Sequence, residues 1–192
     1  MMYKISLLAT TLCAVLATPA FANTDTHSSV SDNGGFYIGG AINKTELGSG
    51  DASGSADATG FGIYGGYQFN DWFGLESNFF AADVGEDGYD VVTGALTFTP
   101  TFTARVNETF SVFAKVGIAS MAVVVDGYYD DFTASGIGFT YGVGINAALT
   151  ENLNLRVSYD MSKGDLDIDE YGYVDDIDTE IEQLALGLHY QF

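Results

Sequence analysis

Leu96-Thr97-Phe98-Thr99-Pro100-Thr101-Phe102-Thr103-Ala104-Arg105-Val106 sets the fold class of this chain. Alternate positions carry different chemistry: Leu, Phe, Pro, Phe, Ala and Val in one row, four Thr and an Arg in the other. Side chains of an extended strand point to opposite faces in turn, whereas those of a helix repeat every 3.6 residues, so this alternation is a strand. The same pattern recurs in 137–149, where Ile137, Phe139, Tyr141, Val143, Ile145, Ala147 and Leu149 oppose Gly138, Thr140, Gly142, Gly144, Asn146 and Ala148. It recurs again where Leu153, Leu155, Val157, Tyr159 and Met161 alternate with Asn154, Arg156, Ser158 and Asp160. The chain is all-β.

Eight such segments are expected, at 36–44, 60–69, 72–83, 92–106, 110–124, 136–149, 153–162 and 180–192. Short connections rich in turn formers join some of them: Asn70-Asp71, Asn107-Glu108-Thr109 and Thr150-Glu151-Asn152. The others, at 45–59, 84–91, 125–135 and 163–179, are long and rich in Gly and Asp. Strict alternation of long and short connections describes an eight-stranded antiparallel up-and-down barrel with both termini at the short-turn end. Pro100 lacks a ladder donor in mid-strand, which predicts a bulge there.

Two barrels fit that connectivity. A soluble, lipocalin-like binding barrel keeps bulky apolar residues inside and polar ones outside. Here the bulky row is continuous, while the other row holds Gly, Thr and the scarce charges. An eight-stranded interior has just enough room for small and paired polar side chains, and a row of Phe, Leu and Ile suits lipid. The inverted arrangement is that of a transmembrane barrel, whose closure satisfies every backbone group away from water.

Composition narrows the function. The 192 residues carry 26 acidic and 6 basic side chains, a net charge of −20, so no basic patch for nucleic acid can be assembled. One cysteine excludes a disulfide scaffold or a Cys-rich zinc site. The N-terminus reads as an export signal over 1–22: Lys4, an apolar run from Ile5 to Leu16, and the small-x-small site Ala20-Phe21-Ala22. A polar lead-in follows over 23–34, and the barrel occupies 35–192. Removal of the signal takes Cys13 with it and leaves five basic residues: Lys44, Arg105, Lys115, Arg156 and Lys163.

The end of the chain adds a family signal. Leu184, Leu186, Leu188, Tyr190 and Phe192 alternate to an aromatic terminus. With Gly-Phe-Tyr-Ile-Gly-Gly at 35–40, Gly-Tyr-Gln-Phe-Asn-Asp at 66–71 and Gly-Leu-Glu at 74–76, the chain resembles the OmpA-type transmembrane-domain family, OmpX-like in size. The resemblance implies a bacterial outer-membrane barrel whose last strand, through Leu188, Tyr190 and Phe192, is read by the barrel-assembly machinery. It also implies a barrel surrounded by outer-membrane lipid and lipopolysaccharide. The sequence ends at Phe192, so no peptidoglycan-binding domain is expected, and the protein is expected to be a monomer.

Candidate functional residues fall into two groups. Glu76, Arg105, Lys115, Arg156 and Asp160 all share the inward parity of their strands, which predicts an interior charge network; the resemblance likewise places Glu76 in one. Such a network plugs the lumen, or gates a narrow small-solute pore by exchanging partners; the small interior favours the plug. The acidic residues gather in the long connections, together with Tyr89, Tyr128, Tyr129, Tyr171 and Tyr173. Asp165-x-Asp167-x-Asp169 is similar to the start of a calcium loop, but Glu170 stands where that loop needs Gly. Solvated loops are the favoured reading, with weak divalent-cation bridging to lipopolysaccharide as the sharper one. A lipid-modifying enzyme is disfavoured, because His27 and His189 both lie away from the acidic loops. No cofactor is expected. The overall expectation is a non-enzymatic envelope protein that supports envelope integrity or contacts host, phage or cell-surface partners through acidic loops.

Overall fold

The computed structural model describes residues 34–49, 55–83, 90–126, 131–168 and 176–192. The expected signal peptide and most of the lead-in lie outside them. The described residues form eight strands: β1 (Gly35–Ser49), β2 (Ser55–Gln68), β3 (Phe73–Asp83), β4 (Asp90–Arg105), β5 (Phe110–Asp126), β6 (Asp131–Ala148), β7 (Leu153–Ile168) and β8 (Asp176–Gln191). Each pairs antiparallel with the next, and β8 pairs with β1 to close the barrel. Ladder partners followed once round, from Gly35 through Gln68, Gly74, Thr101, Lys115, Gly142, Asp160 and Gln183, arrive at Thr45. That is ten residues further up β1, the stagger that tilts the strands.

The three short turns share one device. Asn70 Oδ1 accepts from the N–H groups of Trp72 and Phe73, at 3.1 and 2.9 Å. Asn107 Oδ1 accepts from Thr109 and Phe110, at 2.9 and 2.7 Å, and Thr150 Oγ1 from Asn152 and Leu153, at 3.3 and 3.0 Å. A short polar side chain replaces the backbone partner that these N–H groups lose where the strand reverses.

The inverted pattern holds around the wall. Ile42, Phe61, Phe98, Ile118, Phe139, Val157 and Leu186 face outward and are exposed, with Phe139 at 73%. Thr97, Thr99, Thr101 and Thr140 are buried in the lumen. This overturns the soluble alternative, because a barrel in water would expose its thinnest polar row and not its Phe and Ile. An aromatic cluster of Phe69, Trp72, Phe73 and Phe102 sits at the short-turn rim, with Trp72 stacked on Phe102 at 6.2 Å between centroids. Such girdles occupy the membrane–water interface.

Two expectations need correction. Strands run further from the short-turn end than their alternation indicated: β1–β2 pair up to Gly48↔Ser55, β5–β6 to Asp126↔Asp131, and β7–β8 to Asp167↔Asp176. Much of what reads as long loop is therefore paired strand, extending past the roughly 9–11 residues that a bilayer crossing needs. Pro100 also makes no bulge. The β4–β5 register is the same on both sides of it, at Phe98↔Ile118 and Thr101↔Lys115. The missing donor costs local pairing, and Gly117 lets the two backbones approach closely there.

Candidate functional site: the charged layer of the lumen

Glu76 rises from β3, Lys115 from β5, and Arg156 and Asp160 from β7, all inward. Lys115 Nζ lies 3.1 Å from Glu76 Oε1 and 3.0 Å from Asp160 Oδ1. Arg156 Nη1 donates to Glu76 Oε2, which also accepts from the Tyr37 hydroxyl at 2.8 Å. Ser158 Oγ donates to Asp160 Oδ2 at 3.0 Å, and Arg156 Nε to Asn146 Oδ1 at 2.9 Å. Two carboxylates thus meet two cations, and Glu76 is only 1% exposed. Charges so placed persist in a low-dielectric interior only when paired and hydrogen-bonded.

An aromatic layer holds the guanidinium. Arg156 Cζ stands 4.5 Å from the Phe113 ring, 4.6 Å from Tyr64 and 5.6 Å from Tyr37. His189 Nδ1 and the Tyr64 hydroxyl are 3.2 Å apart, which fixes Tyr64. Inward glycines open the room these rings need: a Cβ on Gly39 would lie 2.6 Å from Tyr64 Cζ, and one on Gly66 2.6 Å from the Tyr37 hydroxyl. Sequence reading did not assign this layer. Its available signal is the Gly at inward positions opposite inward Tyr and Phe.

The lumen is filled at this level. A cavity of about 20 Å³ lies between Asn43, Glu76, Lys115 and Arg156, and another of about 10 Å³ beside Thr97, Asp160 and Ser162. Each has room for about one water. Below them, at the short-turn end, a vestibule of about 600 Å³ opens between Asn107, Asn146, Asn154 and Gln191.

Arg105 does not join the network. It has inward parity, but parity does not report height: it is the last residue of β4, at the rim, and 55% of its side chain is exposed. Its Nη2 lies 3.7 Å from Asp71 Oδ1, across from the turn after β2. Leu188 and Tyr190 face the lipid side of β8, and the Phe192 N–H donates to Phe36 O at 2.9 Å. Asp165 and Asp167 stand on β7 within the ladder and not in a loop, opposite Asp178 and Asp176. Asp169 and the five loop tyrosines lie outside the described residues. Among the described residues, no three His, Cys, Asp or Glu side chains group as metal ligands.

A closed eight-stranded barrel with lipid-seeking side chains outside and a compensated charge layer inside is an integral outer-membrane protein. The chain belongs to the outer membrane protein beta-barrel domain family, whose model matches residues 6–192. It is 28% identical over 173 residues to a 22 kDa outer membrane protein of Rhizobium leguminosarum bv. viciae, covering 81% of this chain and 77% of that one. Two solved barrels share the fold. Neisserial surface protein A superposes with a TM-score of 0.68 at 18% identity, over 82% of this chain and 97% of that one. Ail, the attachment invasion locus protein of Yersinia pestis, superposes with 0.61 at 21% identity, over 83% and 99%.

Proposed function

We propose that this protein is a closed, non-enzymatic outer-membrane barrel that presents an acidic extracellular end to partners outside the cell. The observation that carries the reading is the contrast between the two ends of the wall. Where the outward row passes Leu184 it turns to Glu182, Glu180 and Asp178 on β8, and β1 carries Lys44 and Glu46 at the same border. Exposed pairs fringe it: Lys163 Nζ lies 2.9 Å from Glu180 Oε2, and Lys44 Nζ 3.6 Å from Glu46 Oε1. The filled lumen supports a surface protein over a small-solute pore. His189 is buried in the lumen against Tyr37 and Tyr64, which leaves it no route to a lipid substrate. Divalent cations bridging these carboxylates to lipopolysaccharide phosphates would secure the barrel among its neighbours.

The test compares cells making the natural protein with cells making a variant in which Asp165, Asp167, Asp169, Glu170, Asp175, Asp176 and Asp178 are Asn or Gln. Adhesion and tolerance of chelating agents are expected to fall while the amount of folded barrel stays level. Unchanged adhesion and chelator tolerance in the variant refute the surface-contact reading. Large, stable conductance steps from the natural protein in planar bilayers would refute the closed one, and altered lipid A in a deletion strain would restore the enzyme.

A further inference from the structure

Above the charged layer the lumen changes character. Phe80 of β3, Ala95 of β4, Ala119 and Met121 of β5, Leu166 of β7 and Ile181 of β8 pack into one apolar cluster, with Ala134 of β6 in it and Leu47 of β1 against it. Seven of the eight strands contribute, so the cluster crosses the whole lumen. Met121 is seated over glycine: a Cβ on Gly164 would lie 2.8 Å from its Cε. The cluster lies on the side away from the short turns, beyond a polar band of Asn78, Thr97, Ser162 and Gln183 that lines the small cavities.

We propose that this apolar layer is the water barrier of the lumen, and that the ion pairs beneath it tie the wall together without acting as the gate. Exchange of ion-pair partners leaves polar groups facing one another, and such a band readily holds water in the small cavities beside it. An apolar constriction behaves oppositely: it offers water no hydrogen bonds, and passage of an ion through it strips hydration that nothing replaces. Closure in series follows. Rearrangement of Glu76, Lys115, Arg156 and Asp160 hydrates the lower lumen and goes no further. The inference rests on the closed-barrel reading above.

The experiment uses the full mature barrel in planar bilayers, with the heat-modifiable gel shift as the check that each variant is folded. Glu76→Gln with Arg156→Gln removes one buried pair as a whole and leaves Lys115 with Asp160. This variant is expected to stay silent. Adding Met121→Gln, which nearly keeps volume, and Ile181→Thr, which keeps the β-branch but is smaller by one methyl, supplies polar atoms and is expected to bring stable conductance steps. If that combination does not fold, Ala95→Ser with Ala119→Ser replaces the latter two. Steady conductance from E76Q/R156Q with the apolar layer intact overturns the proposal, and so does silence from the folded combined variant. Conductance of the natural protein itself would instead strike the closed-barrel reading.

Discussion

Gly142 stands directly opposite Asp160 in the β6–β7 ladder, and the Asp160 carboxylate fills the space that a side chain at 142 would need. The glycine therefore works as part of the charged layer, since Asp160 reaches Lys115 only by lying across it. Gly142→Ala is expected to push the carboxylate aside, loosen its contact with Lys115 and cost about 1–3 kcal/mol, as overpacking does. Urea unfolding of the refolded barrel in micelles measures this. Asp160→Ala removes the clash, so the double variant should lose less than the two single losses added together. Strict additivity would mean that Gly142 makes no room for Asp160.

Arg156 and Arg105 share a parity and differ in setting, which makes them a matched pair. Arg156→Ala strands Glu76 with one cation fewer and removes the plane that stacks among Tyr37, Tyr64 and Phe113. Loss of one member of a buried pair costs about 3–5 kcal/mol, less where water enters. Arg105→Ala deletes an exposed partner of Asp71 and should cost about 0–1 kcal/mol. Unfolding midpoints of the two variants in one detergent decide this, and equal losses would remove the charged layer from the account of stability.

These contrasts mark what a sequence carries. In the membrane-crossing part, one face must meet lipid and the other must fit a narrow lumen, so alternation is sharp and Phe98, Thr99, Ile145 and Arg156 declare their sides. Beyond the bilayer both faces meet water and can be polar, the contrast disappears, and paired residues such as Asp165 and Asp178 read as loop. Parity also tells which side of the wall a residue faces but not its height along it, so Arg105 reads alike with Lys115. The apolar layer was hidden for a third reason. Met121-Ala122-Val123-Val124-Val125 is apolar at every position, so it carries no sign of which side faces in.

The last strand closes the barrel, and Phe192, just past its end, is tied to the first strand. Phe192 donates its N–H to Phe36 O, and its ring packs edge-on to Tyr190 at 5.1 Å. The ring itself is exposed, at 71%, so it contributes little packing. Deletion of Phe192 should leave barrel stability nearly unchanged after refolding in vitro, yet reduce the amount assembled in cells if the terminus is an insertion signal. Fractionation of outer membranes, set beside in vitro unfolding, separates the two effects. Normal membrane levels in the deletion would count against the signal.

The acidic strand extensions carry a cost that can be measured. Asp165 stands opposite Asp178 across the β7–β8 ladder, and Glu46 stands opposite Glu182 across the β1–β8 seam. Like charges directly opposite one another destabilise a sheet, at about 0.2–1 kcal/mol per pair. Changing Asp165 and Asp178 to Asn should therefore stabilise the isolated barrel at low ionic strength by roughly that much. The gain should shrink as salt is added, because a Debye length near 8–10 Å at physiological salt screens exposed charges. Divalent cations at millimolar concentration should shrink it further in the natural protein if they bridge these rows, and should leave the Asn variant unmoved. Unfolding midpoints of both proteins, taken with chelator, with sodium chloride and with magnesium or calcium, give the full comparison. A stability difference that ignores all three additions would show that the facing carboxylates are already relaxed by their surroundings. The acid at this end would then be retained for what it contacts and not for any ion it holds.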